Sequence, residues 1–222
     1  IPAYQDRLVQ GVMQRMLDQI YEEKFCDFSY GFRTGRSCHH AIREVNQIIM
    51  TKKINFVVDA DIEGFFDNVD HDWMMKFLEH DIADKNFLRY IKRFLKAGVM
   101  EDMQYSESDL GTPQGGLISP VLANVYLHYV LDLWFDKVWR KQCKGEAYMV
   151  RYADDFVCMF QYENEAKGFF RELELRLGKF NLKLAKDKSR IFRFGRFAKQ
   201  NSAEGKTETF DFLGFTHING RP

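Results

Sequence analysis

The chain of 222 residues carries thirty-two basic and thirty-two acidic side chains, so its formal charge is zero and any nucleic-acid surface must be local. At 45% hydrophobic and 15% aromatic residues it can bury a substantial core, as one large domain or two subdomains. Cys26, Cys38, Cys143 and Cys158 show no CxxC and no Cys or His at ligand spacing, and no run is long or apolar enough for a bilayer or a signal peptide. Those absences argue against a zinc site and for a reduced, cytoplasmic protein with no membrane partner.

Ile1-Pro2 opens the chain without Met and Arg221-Pro222 ends it, which suggests a fragment of a longer protein. Up to about Phe25 the pattern is helical, with Leu8, Val12, Met16, Ile20 and Tyr21 at helical spacing. A glycine-punctuated loop, Ser29 to Ser37, carries Arg33 and Arg36, whose forked donors suit phosphates but equally suit solvent. Helical spacing resumes from His39 to Met50 through Ala41, Ile42, Val45 and Ile48.

Asn55 to Asp61 reads as a strand, with Phe56, Val58 and Ala60 on one face and Val57, Asp59 and Asp61 on the other. An acid at the end of an apolar strand is well placed to enter a cleft. From Asp72 to about Ala97 the apolar positions predict one or two helices stopping at Gly98. Val99-Met100 and Gln104-Tyr105 predict a short hairpin. The segment Gly111 to Pro120 is strong punctuation around Gln114, and Ser119-Pro120 predicts a helix start with Ser119 as N-cap.

Val150 to Phe160 reads as two apolar strands around a tight Ala153-Asp154-Asp155 turn. Adjacent carboxylates repel unless a cation offsets them, and Mg²⁺ takes such oxygens, although Asp is also an ordinary turn residue. A further amphipathic helix is expected to end at Gly178. Between Leu182 and Lys199, Lys183, Lys186, Lys188, Arg190, Arg193 and Arg196 alternate with aromatics, which suits either a strand pair along a phosphate backbone or a solvated basic face. Phe210 to Phe215 closes the chain as an apolar strand whose Gly214 permits close backbone approach.

Asp61 at a strand end and Asp154-Asp155 about ninety residues later are the acids on which chemistry would rest. Carboxylates that bridge two divalent ions about 4 Å apart can activate a 3′-hydroxyl and stabilise leaving pyrophosphate. Strand, helix, strand, strand in that order also fits an antiparallel sheet backed by helices on one face.

With these blocks in place the chain resembles the reverse transcriptase domain of group II intron-encoded proteins, the maturases. The matching residues are Tyr30-Gly31-Phe32-Arg33-Thr34-Gly35-Arg36-Ser37, Asp61 to His71, Gly111 to Asn124, Tyr152-Ala153-Asp154-Asp155, Lys188-Ser189-Arg190-Ile191 and Phe212-Leu213-Gly214-Phe215. Their order and spread over nearly the whole chain make the match specific. The resemblance implies an α+β right-hand polymerase: partial fingers over 1–54, palm over 55–71, fingers and palm helices with a hairpin over 72–112, palm through primer grip over 113–222, and no thumb.

It implies further that Asp61, Asp154 and Asp155 hold two Mg²⁺ ions, with Asp59 a neighbour and Asp67 a structural tie for the turn after the strand. Phe66 would exclude a 2′-hydroxyl, and the amides from Ile62 to Phe66 would face the triphosphate. Gln114 would line the nascent base pair and template. Arg33 and Arg36 would touch template or triphosphate, Lys188 would assist pyrophosphate or serve the fold, and Phe212, Leu213, Gly214 and Phe215 would form the primer grip.

The implied activity is RNA-directed DNA synthesis from dNTPs on an RNA template and DNA primer, joined in the intact parent to intron splicing and mobility. An RNA-binding splicing cofactor with a secondary polymerase site is the alternative reading. A viral-type RNA polymerase is disfavoured by Ala153 and Phe66, and bacterial reverse transcriptases of non-intron systems share these motifs. A homodimer stays open. The basic residues of an earlier fingers block are missing before Ile1-Pro2, and Asp102-Met103 stands where such hairpins usually carry a glycine, so the fragment alone could be inactive.

Overall fold

The computed structural model describes residues 4–96, 110–112, 116–196 and 208–218, together with the backbone alone of 99–101 and 104–106. Gln114 lies outside the described residues. The first helix, α1 (Tyr4–Tyr21), buries Gln10, Met13, Leu17 and Tyr21. Leu8, Val12 and Met16, three of the five predicted stripe positions, are instead 56%, 61% and 49% exposed. The helix is rotated because Gln10 turns inward, where its Oε1 accepts the Leu117 N–H at 2.9 Å. Helix α2 (Cys38–Thr51) follows the prediction, with Ser37 capping His40 N–H and Ala41, Val45, Ile48 and Ile49 buried.

Strand β1 (Phe56–Ala60) leads through a 3₁₀ turn (Phe65–Asp67) into helices α3 (His71–Asp81) and α4 (Lys85–Leu95), capped by Asp70 and Asp84. The short strands β2 (Val99–Glu101) and β3 (Gln104–Ser106) pair antiparallel as expected. Helix α5 (Ser119–Leu127) continues through π-helical turns (His128–Asp132 and Phe135–Trp139) into α6 (Arg140–Gln142). Ile118 rather than Ser119 holds its N-cap, and every residue of α5 but Pro120 is buried, so this element has no solvent face.

Strands β4 (Ala147–Tyr152) and β5 (Asp155–Phe160) form the predicted hairpin, and α7 (Glu163–Gly178) follows. The expected basic strand pair shortens to one strand, β6 (Arg190–Arg193), because Phe192 and Phe194 turn into the core while Lys186 and Lys188 lie in a turn. The last hairpin joins β7 (Thr209–Phe212) to β8 (Phe215–Ile218).

The central sheet runs β4-β5-β1-β6, with every pair antiparallel. Its alternation creates two faces. Phe56, Val58, Ala60, Phe156, Cys158 and Phe160 pack into a large helical core with residues of α1, α3, α4, α5 and α7. Val57, Val150, Val157 and Met159 face a smaller core of α2, β6 and β7 residues. The expectation of helices on one face is therefore incomplete: α2 and the last hairpin pack on the second.

Candidate active site at the joined ends of β1 and β5

Register decides where the acids meet. Ala60 pairs with Phe156 and Tyr152 with Asp155, so Asp61 and Asp155 lie side by side at one end of the sheet. Residues 153 and 154 form the two-residue turn between them. Ala153 takes φ 57°, the left-handed conformation such a turn demands.

That turn is clamped from behind. Arg151 is fully buried. Its Nε and Nη2 donate to the two oxygens of Asp132 at 2.7 and 2.6 Å. Nη1 donates to Asn124 Oδ1 at 3.0 Å and to the Ala153 carbonyl at 2.7 Å, while Nη2 also reaches Ser29 Oγ at 2.7 Å. A buried guanidinium is tolerable because its donors are met. Gly31 presses on the same turn: a Cβ there would lie 2.3 Å from the Ala153 nitrogen. Tyr30 N–H donates to the Arg151 carbonyl and Asn124 Nδ2 to the Gly31 carbonyl, locking the 29–31 loop against β4.

The end of β1 is tied separately. Ser189 Oγ accepts the Asp61 N–H at 3.1 Å, Ala185 N–H donates to the Asp61 carbonyl, and Lys188 Nζ lies 3.5 Å from Asp61 Oδ2. The Lys188-Ser189 block thus curls around the strand end. Burial and then the Asp61 charge push Asp154 above the usual carboxylate range. Burial, then Asp154 and Asp61, push Asp155 up as well. Asp59 rises to about 6, chiefly through burial, with Asp155, Asp61 and Asp211 adding to it and Arg190 opposing.

All three site acids offer hard oxygen donors of the kind Mg²⁺ takes, and a cation would relieve their mutual repulsion. That chemistry fits a divalent ion, although among the described residues no three His, Cys, Asp or Glu side chains already stand arranged to hold one.

Phe66 is half-buried on the 3₁₀ turn, edge-on to Phe65 at 5.3 Å. Asn68 rather than Asp67 ties this turn, its Nδ2 donating to the Gly64 carbonyl at 2.9 Å and to Glu63 O at 3.2 Å. Of the amides from Ile62 to Phe66, Glu63 N–H is taken by the Lys183 carbonyl. Residues 110–112 run along the turn: Thr112 N–H donates to Phe66 O and Gly111 N–H to Val69 O, both at 2.8 Å. At the last hairpin, Leu213 (φ 54°) and Gly214 (φ 77°) form a tight turn with Phe212 buried and Phe215 exposed.

Arg33 and Arg36 behave differently from the expectation. Arg33 is buried, bound to Glu22 and to the Cys26 and Ser29 carbonyls, so its guanidinium shapes the loop. Arg36 leans on the Asp27 and Ser29 carbonyls and over the Tyr30 ring. Sequence reading missed Arg151, Asp132, Ser29 and Asn124. An arginine inside an otherwise apolar strand, and an aspartate in an apolar helix, were the available signals.

An antiparallel sheet that brings three acids to one end, with helices packed behind it, is the palm of a right-hand polymerase. Solved structures share this fold. Apo telomerase from Candida tropicalis matches at TM-score 0.68 and 10% identity, over 96% of this chain and 40% of that one. Telomerase from Candida albicans, solved with a fragment of telomeric RNA, matches at 0.66 and 13%, over 94% and 36%. The family model described as reverse transcriptase (RNA-dependent DNA polymerase) matches residues 1–217, and the chain belongs to that family.

Among curated relatives, the group II intron-encoded protein LtrA of Lactococcus lactis is 42% identical over 137 residues, 60% of this chain and 22% of LtrA. Protein YkfC of Escherichia coli is 33% identical, over 86% of this chain and 58% of its own length. The chain thus spans only part of each. Among the described residues no helix is long and apolar enough to cross a membrane.

Proposed function

We propose that the intact protein adds dNTPs to a DNA primer on an RNA template, and that 1–54 serve as fingers, 55–71 as palm, 72–112 as fingers and palm helices with a hairpin, and 113–222 as palm through primer grip. The observation that carries this reading is the meeting of Asp61 with the Asp154-Asp155 turn across paired strands. In this proposal the three acids hold two Mg²⁺ ions, which when bound supply charge neutralisation for the primer 3′-oxygen and the departing pyrophosphate. The 3′-oxygen forms its bond to the α-phosphorus as the bond to pyrophosphate breaks.

The chain's own residues orient these groups. Arg151 fixes the turn, and Ser189 fixes the backbone at Asp61. Phe66, on a turn braced by Asn68 and residues 110–112, would close off the sugar 2′ position, and Gln114 would meet the base pair. Phe212 to Phe215 would set the primer end. Lys188, close to Asp61, is suited to meet negative charge on the triphosphate. Arg33 and Arg36 would contribute by holding the fingers loop rather than through direct contact.

Asp154→Ala with Asp155→Ala should abolish cDNA synthesis by the full-length protein; retained synthesis refutes the assignment. Phe66→Ala should admit rNTPs, and unchanged sugar selection would remove the gate. The likeness to LtrA favours a second role in group II intron splicing, through binding of the intron RNA. Splicing that survives the double aspartate variant would separate that role from the chemistry.

A further inference from the structure

Away from the acids, α4 presents a surface that the polymerase reading does not use. The sequence Lys85-Asn-Phe-Leu-Arg89-Tyr90-Ile-Lys92-Arg93-Phe-Leu95 contains four cations and no acid, in a chain whose net charge is zero. Leu88, Ile91 and Leu95 are buried, which leaves Lys85, Arg89, Tyr90, Lys92 and Arg93 exposed. Lys85, Arg89 and Lys92 fall at i, i+4 and i+7, one stripe rising about 10 Å along the helix.

The stripe overhangs a cavity of about 500 Å³ between α3 and α4, floored by Met75, Ile82 and Leu88. Nearby acids offset it only in part. Asp84, which caps the Asn86 and Phe87 amides, keeps its charge beside Lys85, Asp81 is paired with Lys24, and Glu79 stands on the cavity wall. Tyr90, 44% exposed, lies beside the guanidinium groups of Arg89 and Arg93, with ring distances of 5.8 and 5.9 Å.

We propose that the α4 face is a second RNA-binding surface, with single-stranded RNA laying phosphates along Lys85, Arg89 and Lys92 and a base against Tyr90. Spaced cations supply phosphate neutralisation, and an aromatic flanked by arginines supplies a stacking platform, the two parts that single-strand binding combines. An acidic protein segment would use the cations but would gain nothing specific from Tyr90. The inference goes beyond the polymerase reading and needs only RNA as a partner.

The test is titration of a single-stranded RNA oligonucleotide with this chain across a series of salt concentrations. Lys85→Ala/Arg89→Ala/Lys92→Ala should weaken binding on the order of tenfold at low salt and reduce the slope of log K against log salt by up to about 2. Lys85→Arg/Arg89→Lys/Lys92→Arg, which keeps the charges, should bind as the parent does. Tyr90→Leu should weaken RNA binding several-fold with the slope unchanged, while leaving a polyglutamate probe unaffected. An unchanged affinity and slope in the triple alanine variant overturns the proposal. So does a parent chain that binds no RNA, or a Tyr90→Leu variant that binds RNA normally. In the full-length protein, extension of a saturating, pre-annealed primer–template should be the same with or without these substitutions. A full-length protein that binds RNA through this face yet extends no primer would refute the polymerase reading and leave this one standing.

Discussion

Arg151 and the α4 stripe use the same chemistry to opposite ends. Arg151 has no exposure, and its donors are matched to Asp132, Asn124, Ser29 and the Ala153 carbonyl. The α4 cations stand in solvent. A buried guanidinium with all its donors met acts as a bracket, fixing the backbone that displays two aspartates. Exposed cations in a row fix nothing in the fold and remain available to a partner. Net neutrality therefore says little about function in this molecule, because positive charge is divided between shape and surface.

The sharpest way to break that contrast is Arg151→Met. It strands the buried Asp132 and should cost about 3–5 kcal/mol, a fall in Tm of roughly 10 °C by calorimetry. Arg151→Met with Asp132→Leu should recover part of it, since removing both charges spares the orphan. A cost below about 1 kcal/mol would demote the bracket to a surface-like arginine. Gly31→Ala comes next. The new methyl group meets the Tyr152–Ala153 peptide where the chain enters the turn, so it should cost about 1–3 kcal/mol and lower primer extension more than it lowers Tm.

A third test uses pH. The carboxyls of Asp59, Asp154 and Asp155 titrate above their unfolded values. The native state then binds more protons than the unfolded chain across that range, so without divalent ions stability should fall as pH rises from about 4 to about 6. Asp59→Asn should flatten the fall by about 1 kcal/mol, and Mg²⁺ should reduce it as well; a chain that gains stability over this range refutes the crowding of the acids. The smallest effect is expected on α1, where Val12→Gln should stay within about 0.5 kcal/mol in denaturant melts. Leu17→Ala, five positions on, should cost about 2 kcal/mol or more, the usual cavity cost.

That last pair shows where sequence reading reached its limit. Strands with strict alternation, such as β1, and hairpins with a two-residue turn declared themselves, because period two leaves a single register that buries one face. The α1 stripe misled because the helix carries more apolar residues than it buries, with Leu8, Val12 and Met16 on one line and Met13, Leu17 and Tyr21 on another, and the inward rotation was set by Gln10 finding the Leu117 amide more than a hundred residues away. The three acids were legible as types and spacing, and the sheet supplied their adjacency. Arg33 looked like a phosphate ligand because nothing local reveals that Glu22 and two carbonyls wait for it. Long-range partners of polar groups leave almost no trace in a single sequence.

The Arg151 bracket also dictates an order of assembly. Its partners lie at positions 29, 124, 132 and 153, and Asp61 is anchored by Ser189. During synthesis the hairpin can pair locally, but its acids cannot take their final positions until the segment from Ser29 is docked and Ser189 has emerged. Such long-range closure is slow compared with forming a helix or a turn. A nascent or clipped chain lacking either end would carry every acid of the motif without the ties that fix the turn and the end of β1, so the final setting of these acids is a late event in folding.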